Sequence, residues 1–371
     1  MTPVVGLSLA GIFLFNDCSS SKLPIWLNPV HRNDSEFIHG FSKVSKSGKS
    51  EEYIGQARIY SLGTIAQAIK TDIDATSVNK VKEIARRGSK SIYFLENSYE
   101  MISSARTKLS LEGVEHVGEW EDTNYYYVYN RLSKTVYKDI LKRKISKALE
   151  SAGNNFDEGI KQLSFNPVIA LKYFFSGLKH LIPFQDQLLI MKDPKNPSEY
   201  INVDLVLRKN IEDLLANITL TPLNKNMRTT MGKGLPLSLV LKTHYTSSNG
   251  NLIDLNELPV LLKFTVGTGS LVSKITSDKY GNVQSTVQKL SEIQNHYQIK
   301  AELDMLSFTG YDEIGQYLFS EFKGIGIPTT FIDIEVTPIT IFLLSDEKSL
   351  GKTLNNPLVT PIFIKSLEEK L

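Results

Sequence analysis

Residues 113–132 read GVEHVGEWEDTNYYYVYNRL. Two β-rich runs flank the polar turn EDTN, the pattern of a β-hairpin. Successive side chains of a strand point to opposite faces, so the rings of this hairpin must divide between a core and an outer surface. Trp120, Tyr125, Tyr127 and Tyr129 are the candidate aromatic ledge, a surface for a glycan or a peptide. Trp120, just before the turn, is nevertheless expected to be a core residue, packed on an apolar helical stripe that precedes the hairpin.

That stripe lies in residues 51–70. Ile54, Ala57, Ser61, Leu62, Ile65, Ala68 and Ile69 recur close to the helical period. Ser50, Glu51 and Glu52 supply a cap and an acidic first turn. Upstream, residues 36–43 read as a strand in which Phe37, Ile38 and Phe41 accompany Gly40. PIWLNP at 24–29 reads as an extended, proline-bounded piece with Trp26 as its bulky residue. Downstream, Ile73, Ala75 and Ser77 alternate as a short strand, and 80–109 reads as a second helix interrupted near Gly88. The order strand, helix, strand, helix, strand, strand fits one small α+β unit, with its helices on a single face of an antiparallel sheet.

Past Ser133 the period is helical. Val136, Ile140, Leu141, Ile145, Ala148 and Leu149 line one face of a long helix, with Lys138, Lys142, Arg143 and Lys147 on a basic face that reads as solvated. Gly153 is expected to stop this helix. A short helix at 156–163 follows, then one at 167–181 that opens on a proline. DPKNP at 193–197 is a breaker, and 198–217 reads as a further helix. The chain then becomes β-rich, with runs at 236–245, 259–266, 271–277, 282–290 and 297–303. Turn signals SNGN, GTGS, DKYGN and QNHY separate them, which is the spacing of a β-sandwich. Its expected core is Val260, Leu262, Phe264, Val266, Val283 and Val287, and Gly281 should take a positive φ. Segment 218–305 is expected to fold by itself; the competing reading is that residues 326–344 complete it. The last stretch has strands at 329–336 and 340–344 and a helix at 358–371.

Composition narrows the function. Forty-two basic and 40 acidic residues leave a net charge of +2, which is no electrostatic footprint for nucleic acid. Cys18 is the single cysteine, so no intramolecular disulfide and no cysteine-built zinc cage can form. The apolar run 4–15 is about a dozen residues, short of the roughly 20 that span a bilayer. It has the length of the apolar region of a signal peptide.

An apolar run ending at one cysteine, followed by a Ser-rich tether, resembles a bacterial lipoprotein signal. That resemblance implies lipidation of Cys18 and removal of residues 1–17. Asn16 and Asp17 depart from the small residue that usually precedes the cysteine. PIWLNP, FIHGFSKVSKSG, ARIYSLGTIAQAI and the hairpin together resemble the twenty-kilodalton (LPP-twenty-like) bacterial lipoprotein family over about residues 23–133. Gly63 and Thr64 depart from that family's helix. Residues 159–183 resemble one tetratricopeptide-like helix hairpin, which must pack on its neighbours to bury its face. LPVLLKFTVGTGSLVSKITSDKYGNVQSTV resembles the bacterial Ig-like repeats of invasin and intimin, with Ser277 in place of the usual Thr. Residues 326–371 resemble the opening of a curli-secretion-type α/β domain. The expected organisation is multi-domain α+β: signal 1–17, tether 18–23, LPP-twenty-like domain 24–133, helical region 134–217, Ig-like β-sandwich 218–305, and a C-terminal α/β fragment 306–371.

Chemistry finds little purchase. Gly324-Ile-Gly326 and Gly267-Thr-Gly269 are turn glycines without a strand-to-helix setting, and Gly232-Lys233-Gly234 lacks the phosphate-loop spacing. His31, His39, His116, His180, His244 and His296 have no metal-ligand spacing. Asp72 and Asp74, at strand spacing, read as a solvated pair. No nucleophile motif is present. The expectation is a non-enzymatic cell-envelope lipoprotein, without cofactor or metal. It would be tethered to an outer membrane through lipid, facing the periplasm or the surface, and would act as a structural or assembly factor for an envelope protein or polymer. The alternative is a surface-exposed adhesin that uses the Ig-like segment.

Overall fold

A computed structural model describes residues 23–32, 35–87, 111–193, 196, 198–230, 233–291 and 294–337, with side chains of the first helix described as far as Thr71. Cys18, the signal segment, and the strand and helix expected at 340–344 and 358–371 lie outside the described residues. Among the described residues the chain is mixed α+β, with six α-helices and five sheets.

Strands β1 (Phe37–Ser45), β2 (Glu115–Glu121) and β3 (Tyr125–Ser133) form an antiparallel sheet in the order β1-β3-β2. Asp122 closes the hairpin by accepting the amides of Asn124 at 2.7 Å and Tyr125 at 2.6 Å. Helix α1 (Ser50–Arg87) lies on one face. The contact is made by small residues. A Cβ built on Gly40 would sit 2.3 Å from the Ser61 carbonyl, so the helix backbone rests directly on that glycine. Ser42 donates to the Ala57 carbonyl at 2.6 Å and Ser61 to the Gly40 carbonyl at 2.9 Å. Asn130 then donates to Ser61 at 2.9 Å and accepts from His116 Nδ1 at 3.0 Å. These polar links, buried at Ser42, Ser61 and Asn130 and reaching the surface at His116, set the helix's register on the sheet. Two small apolar cores flank it: Ile65, Ile69, Leu132 and Tyr137 on one side, Ala57, Tyr126 and Val128 on the other.

Three readings of this region change. PIWLNP is not extended but forms short 3-10 turns, Ile25–Leu27 and Pro29–Arg32. Proline presets φ at the first position of the second turn, and the Asn28 side chain accepts the Val30 amide. The strand expected at 73–77 is helical, because nothing between Thr64 and Arg87 is a glycine or proline and three alternating residues cannot end a running helix. Asp72 and Asp74 therefore sit on a helix rather than at strand spacing. Of the second helix expected at 80–109, residues 80–87 belong to α1, and 88–110 lie outside the described residues.

Helix α2 (Lys134–Gln162) starts where expected, with Ser133 capping the Val136 amide. Gly153 does not stop it. The helix runs through Gly153 and absorbs the short helix expected at 156–163, because its glycines serve packing. A Cβ on Gly153 would lie 2.7 Å from Met191 Cε, and one on Gly159 would lie 2.3 Å from the Phe174 ring. Helix α3 (Pro167–Leu181) returns antiparallel to α2, capped by Asn166. A two-strand ribbon, β4 (Ile190–Lys192) and β5 (Tyr200–Asn202), takes the first part of the helix expected at 198–217. Helix α4 (Val203–Asn217) starts only after Asn202, which caps the Leu205 amide.

Then come β6 (Ile218–Pro222), β7 (Asn226–Thr230), β8 (Leu239–Thr246), β9 (Leu252–Asp254), β10 (Pro259–Val266), β11 (Gly269–Leu271), β12 (Lys274–Thr276), β13 (Asn282–Ser285), β14 (Val287–Leu290) and β15 (His296–Leu303). Two short helices, α5 (Leu306–Thr309) and α6 (Glu313–Lys323), precede β16 (Thr329–Thr337). One sheet has the order β12-β10-β15-β16-β7, with β16 parallel to β7; the other has β13-β8-β6, with β9 on β8. The runs 271–277 and 282–290 are each broken in two, since β11 and β14 pair with one another apart from both sheets. Gly281 takes φ +71°, where a Cβ would meet the Thr243 carbonyl at 2.4 Å. Val260, Leu262, Val283 and Val287 are buried, and Phe264 packs edge-on against Tyr297. Val266 is exposed, because the β10–β15 register shifts between Phe264 and Val266 and turns its side chain out.

β16 is not the start of a separate unit but pairs with both β15 and β7. The strands within 218–305 therefore share a sheet with one beyond residue 305. A single apolar core runs from Ala148 to Val336, through the helices and both sheets. Helix α6 ties them together. Phe322 meets Phe175 edge-to-face at 5.1 Å, and Glu321, almost fully buried, pairs with Arg208 of α4. Arg208 also binds Asp204 at 2.9 Å. Burial opposes the charge on Arg208, yet Asp204 and Glu321 hold it firmly protonated.

Two stability outcomes are expected. Gly40→Val should lower stability by about 2–3 kcal/mol, since overpacking forces the helix off the sheet; an unchanged melting temperature would overturn the contact described. Glu321→Ala should cost about 3 kcal/mol, the low end for losing one partner of a buried ion pair because Asp204 remains on the guanidinium, whereas the paired change Arg208→Met with Glu321→Leu should cost less. Urea denaturation of the three proteins measures both.

Candidate functional site

The face of the first sheet turned away from α1 is built almost entirely of rings. β1 contributes Phe37, His39, Phe41 and Lys43, and β3 contributes Tyr125, Tyr127, Tyr129 and Arg131. β2 contributes Trp120 and Gly118. All four residues of the candidate ledge lie here. The placement of Trp120 against the helical stripe is thereby corrected. Its neighbour Glu119 faces α1, so strand alternation sends Trp120 to the other side, where it packs on Tyr127 at 5.5 Å. A bulge between His116 and Gly118 shifts the parity of β2.

Half of the face is sealed. Trp26 stacks on Tyr129 at 5.7 Å, sits 6.5 Å from Phe41, and lies over Gly118, where a Cβ would be 3.2 Å from its indole nitrogen. Tyr129 is buried and its hydroxyl meets His39 Nδ1 at 2.9 Å. The Arg32 guanidinium stacks on Phe41 at 3.7 Å. The other half is a half-buried row, Trp120, Tyr127 and Tyr125, with ring spacings of 5.5 and 6.3 Å and Lys43 Nζ 3.8 Å over Tyr125. Tyr127 donates to Asp122 at 2.8 Å. Burial pushes the Tyr127 hydroxyl up, as does that bond; against burial, the bonds from Tyr127 and two amides hold the Asp122 carboxyl down. The Trp120 indole nitrogen is buried without a partner among the described residues. A row of fixed rings with one cation and one carboxylate can hold a flat or ring-shaped ligand by stacking, with polar groups to orient it.

The sequence reading missed Trp26, Phe41 and Lys43 as members of this face. Phe37, His39, Phe41 and Lys43 occur at period two, which was the available signal. That Trp26 returns to the sheet has no local signal at all.

The opposite face carries another carboxylate. Glu119 accepts two hydrogen bonds from Arg58, at 2.7 and 3.0 Å, and one from Tyr126. The Arg58 bond, then that of Tyr126, hold its carboxyl down at about 2, while burial and then Glu119 push the Tyr126 hydroxyl up to about 12. Elsewhere, an open cleft of about 590 Å³ between β12 and β13 is lined by Ser238, Val272, Lys274, Thr276, Gln284 and Thr286. Lys274 is engaged there by Tyr311 at 3.0 Å and Asp304 at 3.5 Å. On the basic face of α2, Arg143 and Lys144 pair with Glu112, and Lys138, Lys142 and Lys147 are exposed. Among the described residues no group of three or more His, Cys, Asp or Glu is arranged to hold a metal, and no helix is long and apolar enough to cross a membrane.

No family model matches the chain, and no curated protein matches it.

The depressed Glu119 pKa sets a pH dependence. Its contribution is complete above the usual value of 4.5 and is lost as pH falls toward 2. Thermal melts from pH 5 to pH 2 should show a steeper fall for the wild type than for Glu119→Gln. Parallel curves would mean that the Arg58–Glu119–Tyr126 group does not control acid stability.

Proposed function

We propose that this chain is a non-enzymatic cell-envelope lipoprotein, a structural or assembly factor held at an outer membrane by lipid on Cys18. The observation that carries the binding part of this reading is the open row Trp120–Tyr127–Tyr125 with Lys43 above it. It is a preorganised stacking surface, with Lys43 over one ring and Asp122 bonded to another, which suits retention of an envelope protein or polymer. The address rests on the apolar run, Cys18 and the Ser tether, and on the resemblance of residues 23–133 to the LPP-twenty-like family.

A second reading is favoured by strand order. Three strands, β13-β8-β6, face five, β12-β10-β15-β16-β7, and the first part of the chain's β region crosses from one sheet to the other between β6 and β7. We take this as an Ig-like sandwich with α5 and α6 inserted before its last strand. Such a module suits a surface adhesin. Protease treatment of intact cells separates the readings, since an adhesin is cleaved and a periplasmic factor is spared.

Cys18→Ala should move the protein from the membrane to the soluble envelope fraction, because each buried CH₂ of an acyl chain contributes ~0.8 kcal/mol and several chains are lost together. A variant that fractionates as the wild type does would end the lipid reading. Trp120→Ala should reduce co-sedimentation with isolated cell-wall polymer if that polymer is the partner; equal sedimentation would remove the polymer from consideration.

A further inference from the structure

The segment 23–32 is held on the sheet in an unusual way. Its backbone hydrogen bonds are internal, from Leu27 to Pro24 at 2.9 Å, Asn28 to Ile25 at 3.1 Å and His31 to Asn28 at 3.1 Å. Its hold on the body is by stacking, through Trp26 on Tyr129 and Arg32 on Phe41. Three large aliphatic side chains stand away from that contact, with Leu23 69%, Ile25 72% and Val30 75% exposed. So many exposed aliphatics in one ten-residue piece call for a covering surface.

We infer that segment 23–32 is a bilayer seat: Leu23, Ile25 and Val30 dip into the lipid interface while Trp26 and the sheet's rings stay at headgroup level. This inference rests on the lipoprotein reading, because it uses Cys18 to bring the segment to a membrane. Leu23 is five residues from Cys18, a reach of at most about 18 Å. A lipid on Cys18 therefore keeps the segment within the thickness of the interfacial layer and its immediate surroundings. The composition also matches a membrane interface, with exposed aliphatic side chains in the same ten residues as a half-buried indole stacked on Tyr129, and with the Arg32 and Lys43 cations over neighbouring rings. A protein partner fits less well. Three side chains fall far short of the 20–30 residues a side, or about 800 Å², that a standard interface buries. The seat would hold the sheet's ring face beside the membrane and leave the sandwich to project from it.

The test uses the full chain carrying Cys18→Ala, so that acyl anchoring is not measured, and vesicles of phosphatidylethanolamine and phosphatidylglycerol. The comparison adds Leu23→Ser, Ile25→Ser and Val30→Ser. Residues 4–15 are common to both proteins, so their own affinity cancels. The three side chains are exposed, so the melting temperature should not move. Flotation should show at least tenfold weaker partitioning for the triple variant. Only two tryptophans exist, both on this face, so vesicles should also shift the emission to the blue, and Trp26→Phe should remove most of that shift. Equal partitioning of the two proteins overturns the inference. So does a triple variant that changes only the sedimentation coefficient, which would make the patch a contact between copies of this chain. The lipid reading is judged separately, by the mass of the mature N-terminus, so failure of one does not imply failure of the other.

Discussion

Helix α1 can approach its sheet only where β1 has no side chain in the way. Gly40 provides that opening, and the Ser61 carbonyl occupies the space a Cβ would take. Once the helix backbone is seated there, buried Ser42 and Ser61 donate to the Ala57 and Gly40 carbonyls across the contact, and Asn130 links Ser61 to His116 at the surface. An unmade bond at these buried residues would cost about 1–3 kcal/mol, so the register is narrowly defined. The helix covers one face of the sheet, and everything with an aromatic ring at the other parity is left on the uncovered side.

That uncovered side is managed in two ways. Over Tyr129 and Gly118 the chain folds back and seals the rings with Trp26. Over Trp120, Tyr127 and Tyr125 it does not. The result is a face with a closed half and an open half, joined through Phe41 and Tyr127 at 6.2 Å. The proposals above use the two halves differently. The open row is a stacking surface for an envelope component, and the sealing segment is the part turned to lipid. Both place the first sheet near the membrane.

The remainder of the molecule is built around a different constraint. Arg208 is buried with two carboxylates, one from its own helix and one from α6. Such a cluster adds little net stability compared with apolar residues of the same size, but it is intolerant of losing a member. Together with Phe175, Phe308 and Phe322 it holds α5 and α6 against α3 and α4, so the helices and the two larger sheets share one core. The basic α2 face and the cleft between β12 and β13 lie outside this arrangement.

Residue pattern alone determined the elements whose signals are local. The hairpin at 115–133, α1 from its Ser50 start, α3 from its proline and most strands between 218 and 303 follow from period, caps and turns, all of which act over a few residues. The left-handed Gly281 belongs with them. Tertiary structure decided what depends on partners far away in sequence. Gly153 looks like a helix stop, yet it admits Met191, as Gly159 further along the same helix admits Phe174. Trp120 looks like a core ring, yet one bulged residue and the position of the helix put it outside. Trp26 belongs to the ledge only because the segment folds back over ninety residues of intervening chain. Thr329–Thr337 reads as a new beginning, and only its pairing with β7 and β15 makes it an inner strand. A glycine or an alternating strand carries no mark of what will pack on it, because packing is a property of two surfaces and the sequence displays them one at a time.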